Sequence, residues 1–196
     1  MTKLLLASTS PARKRLLTDA GLAFEITSPG VDEEALVEQE KPEGPETLTL
    51  ILAKAKAEAV TFDSLVLGCD SALYFEGEIL GKPHDPQVAI ERWKKMRGQT
   101  GELYSGHWLI DNASGKACGR VTKTKVFFSN LSDEQIERYV ASGEPLKVAG
   151  AFTIDGLGGA FIERIEGDYH TVVGLSLLAL REMVTELGHD YLSLWR

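Results

Sequence analysis

The chain is short of cysteine, of histidine and of basic charge, and each shortage closes off a class of function. Its 196 residues hold two cysteines, Cys69 and Cys118, without CxxC spacing. A disulfide framework and a zinc ribbon are thereby excluded, and reduced, buried thiols in a cytosolic protein are expected. The four histidines, His84, His107, His170 and His189, make neither HxH nor HExxH, which leaves no zinc hydrolase signature. There is no GxSxG elbow and no Gly-x4-Gly-Lys-Ser/Thr loop, so neither a serine hydrolase nor a P-loop enzyme is indicated. Twenty-one Lys and Arg stand against 29 Asp and Glu, for a formal net charge of −8. A nucleic acid polymer needs a dense basic face, so none is expected as partner. No segment approaches the ~18 apolar residues of a membrane span. The apolar stretch after Met1-Thr2-Lys3 is too short for a signal peptide. No membrane partner is expected, and there is neither internal repeat nor low-complexity segment.

What is present suits one globular domain over residues 1–196, with 43% hydrophobic residues to build a core. Strands are predicted at Leu4–Ala7, Ala23–Thr27, Val66–Cys69, Ala72–Ile79, roughly 102–111 and 117–128, Ala151–Ile154 and Ala160–Ile165. Helices are predicted from Pro11 to about Ala20, over about 46–60, from Asp85-Pro86 to Gly98, from a Ser132–Gln135 capping box to near Gly143, and over about 175–187. Helices interleaved with strands make an α/β fold, and the hairpins at Glu76-Gly77 and 112–115 make its sheet mixed.

Residues 68–85 carry most of the chemistry. An apolar strand delivers Asp70 at its C-terminal end, where substrates of α/β folds usually bind. A hairpin then returns to Gly81-Lys82-Pro83, a cation on a stiff turn. An acid and a lysine together suggest a phosphate ester, with the acid as base or metal ligand. Upstream, Ser8-Thr9-Ser10-Pro11-Ala12-Arg13 opens a helix whose hydroxyls and N–H groups suit an anion, with Arg13 as a bidentate grip. Ordinary capping by Ser10 above a solvated basic face is the alternative. Val31-Asp32-Glu33-Glu34 is either solvated surface or a metal ligand. A nucleoside triphosphate beside Asp70 calls for a cation, and Glu33 with Asp70 is the candidate pair for Mg²⁺, or for Mn²⁺ or Co²⁺. In the helix over 46–60, Leu48, Ile51, Leu52, Ala55 and Ala59 share a face. Lys56 lies ~80° from its centre and Lys54 ~120° away at 100° per residue. Lys56 is therefore expected at a cleft edge and Lys54 in water. Cys69 reads as strand core, its thiol pKa raised by the neighbouring carboxylate.

These residues fall in a run of motifs: Ser8-x-Ser10-Pro11-x-Arg13, Val31-Asp32-Glu33, Leu52-Ala53-x-x-Lys56-Ala57, Gly68-x-Asp70-Ser71, Gly81-Lys82-Pro83 and Tyr139-Val140-x-x-Gly143-Glu144-Pro145. The tail adds Ala149-Gly150-Ala151-Phe152, Ile165-x-Gly167-Asp168-Tyr169 and Val173-Gly174-Leu175. In this order, over nearly the whole chain, they resemble the Maf family of nucleoside triphosphate pyrophosphatases, in a variant like those of actinobacteria. The resemblance implies an elongated mixed sheet flanked by helices, with two lobes around a deep cleft, as in inosine triphosphate pyrophosphatases. It implies metal-dependent cleavage of the α–β phosphoanhydride, a house-cleaning role in the cytoplasm, and often a homodimer. Its catalytic acid falls on Asp70, its glutamate and lysines on Glu33, Lys56 and Lys82, and its phosphate-binding residues on Ser8, Ser10 and Arg13. The chain departs from common members at Ala12, Ser71 and Asp155, positions tied to base selectivity. The competing expectation is a nucleotide-binding regulator of septation that acts through a partner.

Overall fold

Two glycine-free helix starts set the tone of the local structure: Pro11 follows the cap Ser10, and Pro86 follows the cap Asp85. In each, proline occupies a position whose N–H has no partner within the helix. The computed structural model describes residues 2–196. Its elements are β1 (Leu4–Ala7), α1 (Pro11–Asp19), β2 (Glu25–Thr27), α2 (Glu33–Glu40), α3 (Pro45–Glu58), β3 (Leu65–Phe75) and β4 (Glu78–Leu80). There follow α4 (Pro86–Met96), β5 (Thr100–Asp111), β6 (Lys116–Phe128), α5 (Asp133–Ala141), β7 (Ile162–Glu166), α6 (Tyr169–Val173) and α7 (Leu177–Glu186). No helix among the described residues is long and apolar enough to cross a membrane.

The strands form one mixed sheet in the order β2-β1-β3-β5-β6-β7, with β4 added to β3. Strand β1 runs parallel to both β2 and β3, while β3–β4 and β6–β7 are antiparallel. The parallel pairs need crossovers, which α1, α2 and α3 supply. The α/β fold read from the sequence is present.

The chain divides into two compact units. The first runs to Asp70 and takes in Ser105–Thr122 and Gly174–Arg196; the second comprises Ser71–Tyr104 and Lys123–Val173. In the first, Leu4, Leu6, Leu17, Leu22, Leu65 and Leu67 are fully buried. In the second, the core centres on Trp93, whose ring meets Phe128, Tyr139 and Phe161 edge-on.

Three local expectations need correction. Asp70 is not at a strand end: β3 is one continuous strand of 11 residues. Its second half survives as a strand because β4 pairs with it, Leu73 opposite Leu80. Residues 151–154 form no strand; 3-10 turns occupy Ala149–Ala151 and Leu157–Phe161. Helix α3 buries Thr49, Leu52, Ala53, Lys56 and Ala57, not the face predicted for it. The cause is close packing. A side chain at Gly68 would sit 2.0 Å from the Ala53 carbonyl oxygen, so β3 presses its backbone against the small residues of α3. Bulkier Leu48 and Ile51 are left half-buried at the margin.

Candidate functional site

Strand β1 ends at Ala7, opposite Gly68. Two residues further along β3, Asp70 lies past the end of its parallel neighbour. The loop that leaves β1 carries Ser8 and Ser10. The Ser8 amide donates to the Thr27 carbonyl at 2.9 Å, and its hydroxyl accepts from the Ser10 amide at 3.1 Å. The Ser10 hydroxyl accepts from the Arg13 amide at 3.4 Å, which makes it the cap of α1. Ala12 is half-buried in the first turn of that helix. Arg13 is buried; its Nε donates to the Gly174 carbonyl at 2.8 Å and its Nη1 to the Cys69 carbonyl at 3.0 Å.

Lys56 stands at the centre of the buried face of α3 and is only 7% exposed. Its Nζ donates to Asp70 Oδ1 at 2.6 Å and lies 2.9 Å from Glu33 Oε1. Glu33 is the first residue of α2, whose cap Asp32 accepts from the Ala35 amide at 3.0 Å. Asp32 is thus spent on the helix, and Glu33 is the acid that reaches the site. Burial holds the Asp70 carboxyl above the ordinary carboxylate range, although Lys56 and Arg13 pull against it. The Cys69 thiol is pushed up to about 12, chiefly by burial; the charge of Asp70 is the least of the causes. This thiol is strand core, as expected, but the principal reason is desolvation.

Among the described residues, no group of three or more His, Cys, Asp or Glu side chains is arranged to hold a metal ion. Glu33 and Asp70 are two hard oxygen donors, and the Lys56 ammonium contacts both.

The remaining candidates belong to the second unit. Ser71 follows Asp70 on β3 and is half-buried. Lys82 is exposed on a segment held from both ends. The Gly81 carbonyl accepts from Arg92 Nη1 at 2.7 Å and from the Gly150 amide at 3.3 Å, while the His84 amide donates to the Leu146 carbonyl at 3.0 Å. Asp155 is half-buried in the stretch that precedes the Leu157–Phe161 turn.

The model of the family described as Maf-like protein matches residues 3–187. The chain belongs to the Maf-like family. A relative named "Nucleoside triphosphate pyrophosphatase" from Leifsonia xyli is 48% identical, with 98% of this chain and 96% of the relative covered. Relatives of the same name from Salinispora tropica and Trichormus variabilis are 49% and 48% identical. They cover 98% and 100% of this chain, and 87% and 98% of their own lengths. Of solved structures, the Staphylococcus aureus Ham1 protein aligns over 99% of this chain and 94% of its own at 12% identity, with a TM-score of 0.42.

In this Maf-like chain, charge patterning found the acid–lysine group, but sequence reasoning missed two supports. One is the Gly174 carbonyl that receives Arg13. The other is Glu144, whose carboxylate gathers Tyr139, Thr153, Leu157 and Gly158. Neither lies on a periodic face, so only the quoted motif residues marked their places.

Proposed function

We propose that this chain is a nucleoside triphosphate pyrophosphatase in which Asp70 is the base. The carrying observation is the carboxylate with raised proton affinity held 2.6 Å from a buried ammonium. Water attacks the α-phosphorus, a new P–O bond forms, and its proton passes to Asp70. The α–β anhydride bond breaks, and pyrophosphate leaves with the monophosphate as second product. A carboxyl with a pKa above its ordinary value is a better acceptor near neutral pH than a solvated one. Lys56 orients Asp70 and offers positive charge to the phosphates. Arg13 holds the Cys69 and Gly174 carbonyls and contributes its charge at Asp70. Lys82 neutralises the leaving pyrophosphate. Ser8 and Ser10 shape the loop that receives a phosphate, Ser10 through the capped N-terminus of α1.

Glu33 and Asp70 are hard oxygen ligands of the kind that Mg²⁺, Mn²⁺ or Co²⁺ takes, and they would hold such an ion together with phosphate oxygens. When bound, the ion supplies Lewis-acid polarisation of the phosphate and of water. Lys56 and Arg13 already balance the charges of Glu33 and Asp70, so these carboxylates have little attraction left for a divalent ion without nucleotide. A regulator of septation has no need of an acid held in this state.

Base selection we assign to Ser71 and Asp155, together with Ala12, the position where the resemblance leads one to expect an arginine. An ionised Asp155 accepts hydrogen bonds and favours a base edge that presents N–H groups. The role is the removal of non-standard or modified nucleotides in the cytoplasm. Two buried free thiols, Cys69 and Cys118, support that location. Exposed Leu192 and Trp195 offer apolar surface for a homodimer. The test is pyrophosphate release from a panel of common and modified triphosphates, with Mg²⁺ and with chelator. Release from at least one substrate, dependent on metal, is expected; no release from any would overturn the reading.

A further inference from the structure

Helix α5 ends at Ala141, and after Ser142 and a left-handed Gly143 the next residue, Glu144, turns a carboxylate back over the chain that follows. Glu144 Oε1 accepts from Thr153 Oγ1 at 2.6 Å, from Tyr139 Oη at 2.9 Å and from the Gly158 amide at 2.9 Å. Its Oε2 accepts from the Leu157 amide at 2.9 Å. The Tyr139 hydroxyl also accepts from the Thr153 amide at 3.3 Å. One carboxylate therefore pins both ends of the stretch from Thr153 to Gly158, and between the pins lies Asp155. The fit leaves no slack. A side chain at Gly158 would sit 2.3 Å from the Tyr139 hydroxyl. Tyr139 itself is fixed in the aromatic core, with ring centroids 5.6 Å from Trp93 and 5.1 Å from Phe161. Rigidity thus passes from the core through Tyr139 to the carboxylate and on to the loop. Burial opposes the charge on Glu144, but bonds from Thr153, Leu157, Gly158 and Tyr139 outweigh it and hold the carboxyl below its ordinary value. The clamp stays ionised at neutral pH, where it accepts four bonds.

We infer that Glu144 is a positioning residue for nucleotide selectivity: its carboxylate fixes the loop that carries Asp155, and so decides which base edge that loop accepts. The inference rests on the assignment of base selection to Asp155. Glu144→Gln keeps the shape of the side chain. Its amide group, however, meets a backbone N–H where the carboxylate had an acceptor, so one end of the loop is released.

Two measurements test this, and neither requires turnover. Hydrogen exchange is followed over 153–159 and over the rest of the second unit. Affinities are compared for non-hydrolysable α,β-methylene analogues of a panel of purine and pyrimidine triphosphates. In Glu144→Gln, exchange at 157 or 158, whichever amide faces the new NH2, accelerates about tenfold or more, the worth of a hydrogen bond to a charged group. The ratio of affinities between the preferred and a disfavoured analogue changes by about fivefold or more. A merely structural residue would weaken every analogue by one common factor, and that outcome overturns the inference. So does unchanged exchange at 157 and 158. Should Glu144→Gln not fold, Tyr139→Phe removes one bond to the carboxylate and the acceptor for Thr153. It carries the same expectation at about threefold and is overturned by the same two outcomes. Failure of the wild type to release pyrophosphate would instead sink the proposed reaction, and leaves the exchange and affinity ratios to decide this inference.

Discussion

Asp70 and Glu144 are both carboxylates at least partly withdrawn from water, one in each unit, and they are displaced in opposite directions. Asp70 is held above the ordinary carboxylate range and Glu144 below it. Burial raises both. The difference lies in the balance: at Asp70 burial outweighs the pull of Lys56 and Arg13, and at Glu144 the hydrogen bonds outweigh burial. Asp70 accepts a hydrogen bond from the Lys56 ammonium at 2.6 Å, and Glu33 adds a like charge nearby. Glu144 accepts from two hydroxyls and two backbone amides. Neutral donors in number stabilise an ionised acid and hold it in place. A carboxylate that retains proton affinity is suited to take a proton. A carboxylate saturated with donors is suited to hold a loop.

The comparison breaks most readily at Asp70. Asp70→Asn is expected to fold and to lose turnover by at least ~10²-fold, the low end for a lost general base. Pyrophosphate release alongside a thermal melt checks it. Wild-type release by the folded variant would remove Asp70 from the chemistry and leave the two acids alike.

A smaller effect sharpens the electrostatic half. Lys56→Met leaves Asp70 and Glu33 facing each other without the shared cation, whereas Lys54 is exposed, 5.3 Å from the centroid of the Trp108 ring and 3.8 Å from Glu58. Lys56→Met, and to a lesser degree Lys82→Ala and Arg13→Ala, should lower kcat/KM by ~10-fold or more, since each neutralises or orients charge in the transition state. Lys54→Met should change it less than ~3-fold, as exposed pairs contribute little. Equal losses at Lys54 and Lys56 would mean that the buried face of α3 is not the reactive one.

The smallest effect is a contrast in pH dependence. Asp70 has its folded-state pKa raised, so its contribution to stability is full below the unfolded value and is lost as pH rises through the folded one. Glu144 has its folded-state pKa lowered, so its contribution is present above the unfolded value and is lost as pH falls through the folded one. Denaturant unfolding should therefore show Asp70→Asn gaining on the wild type as pH rises above ~4. The deficit of Glu144→Gln should shrink as pH falls below the ordinary carboxylate range. Parallel curves for the two variants would mean that the acids are not differently held.

Much of this was legible because it is local. The Ser132–Gln135 capping box and the Asp85-Pro86 start depend on residues within one turn, and both are present. The Glu76-Gly77 hairpin joins β3 to β4 as expected. Asp70, Glu33 and Lys56 were marked by charge, because unlike charges that meet a small anionic ligand need no periodicity to be noticed. The buried face of α3 departs from the apolar periodicity because its packing is governed by the close approach of β3 at Gly68, which admits Ala53 and Ala57. Arg13 is expected to grip a phosphate; no local pattern shows that its Nε and Nη1 donate to carbonyls 161 and 56 residues away in sequence.

By itself the sequence determined the α/β class, the caps and turns, the family and the set of charged residues available for chemistry, since each is written in neighbouring residues or in their order. Tertiary structure alone decided which of those charges meet. Lys56 lies between Asp70 and Glu33 because β3 approaches α3 at Gly68, and Glu144 holds its loop because Tyr139 is locked against Trp93 and Phe161. Such contacts join positions far apart in the chain, and what selects them is close packing of whole elements, which no local pattern records.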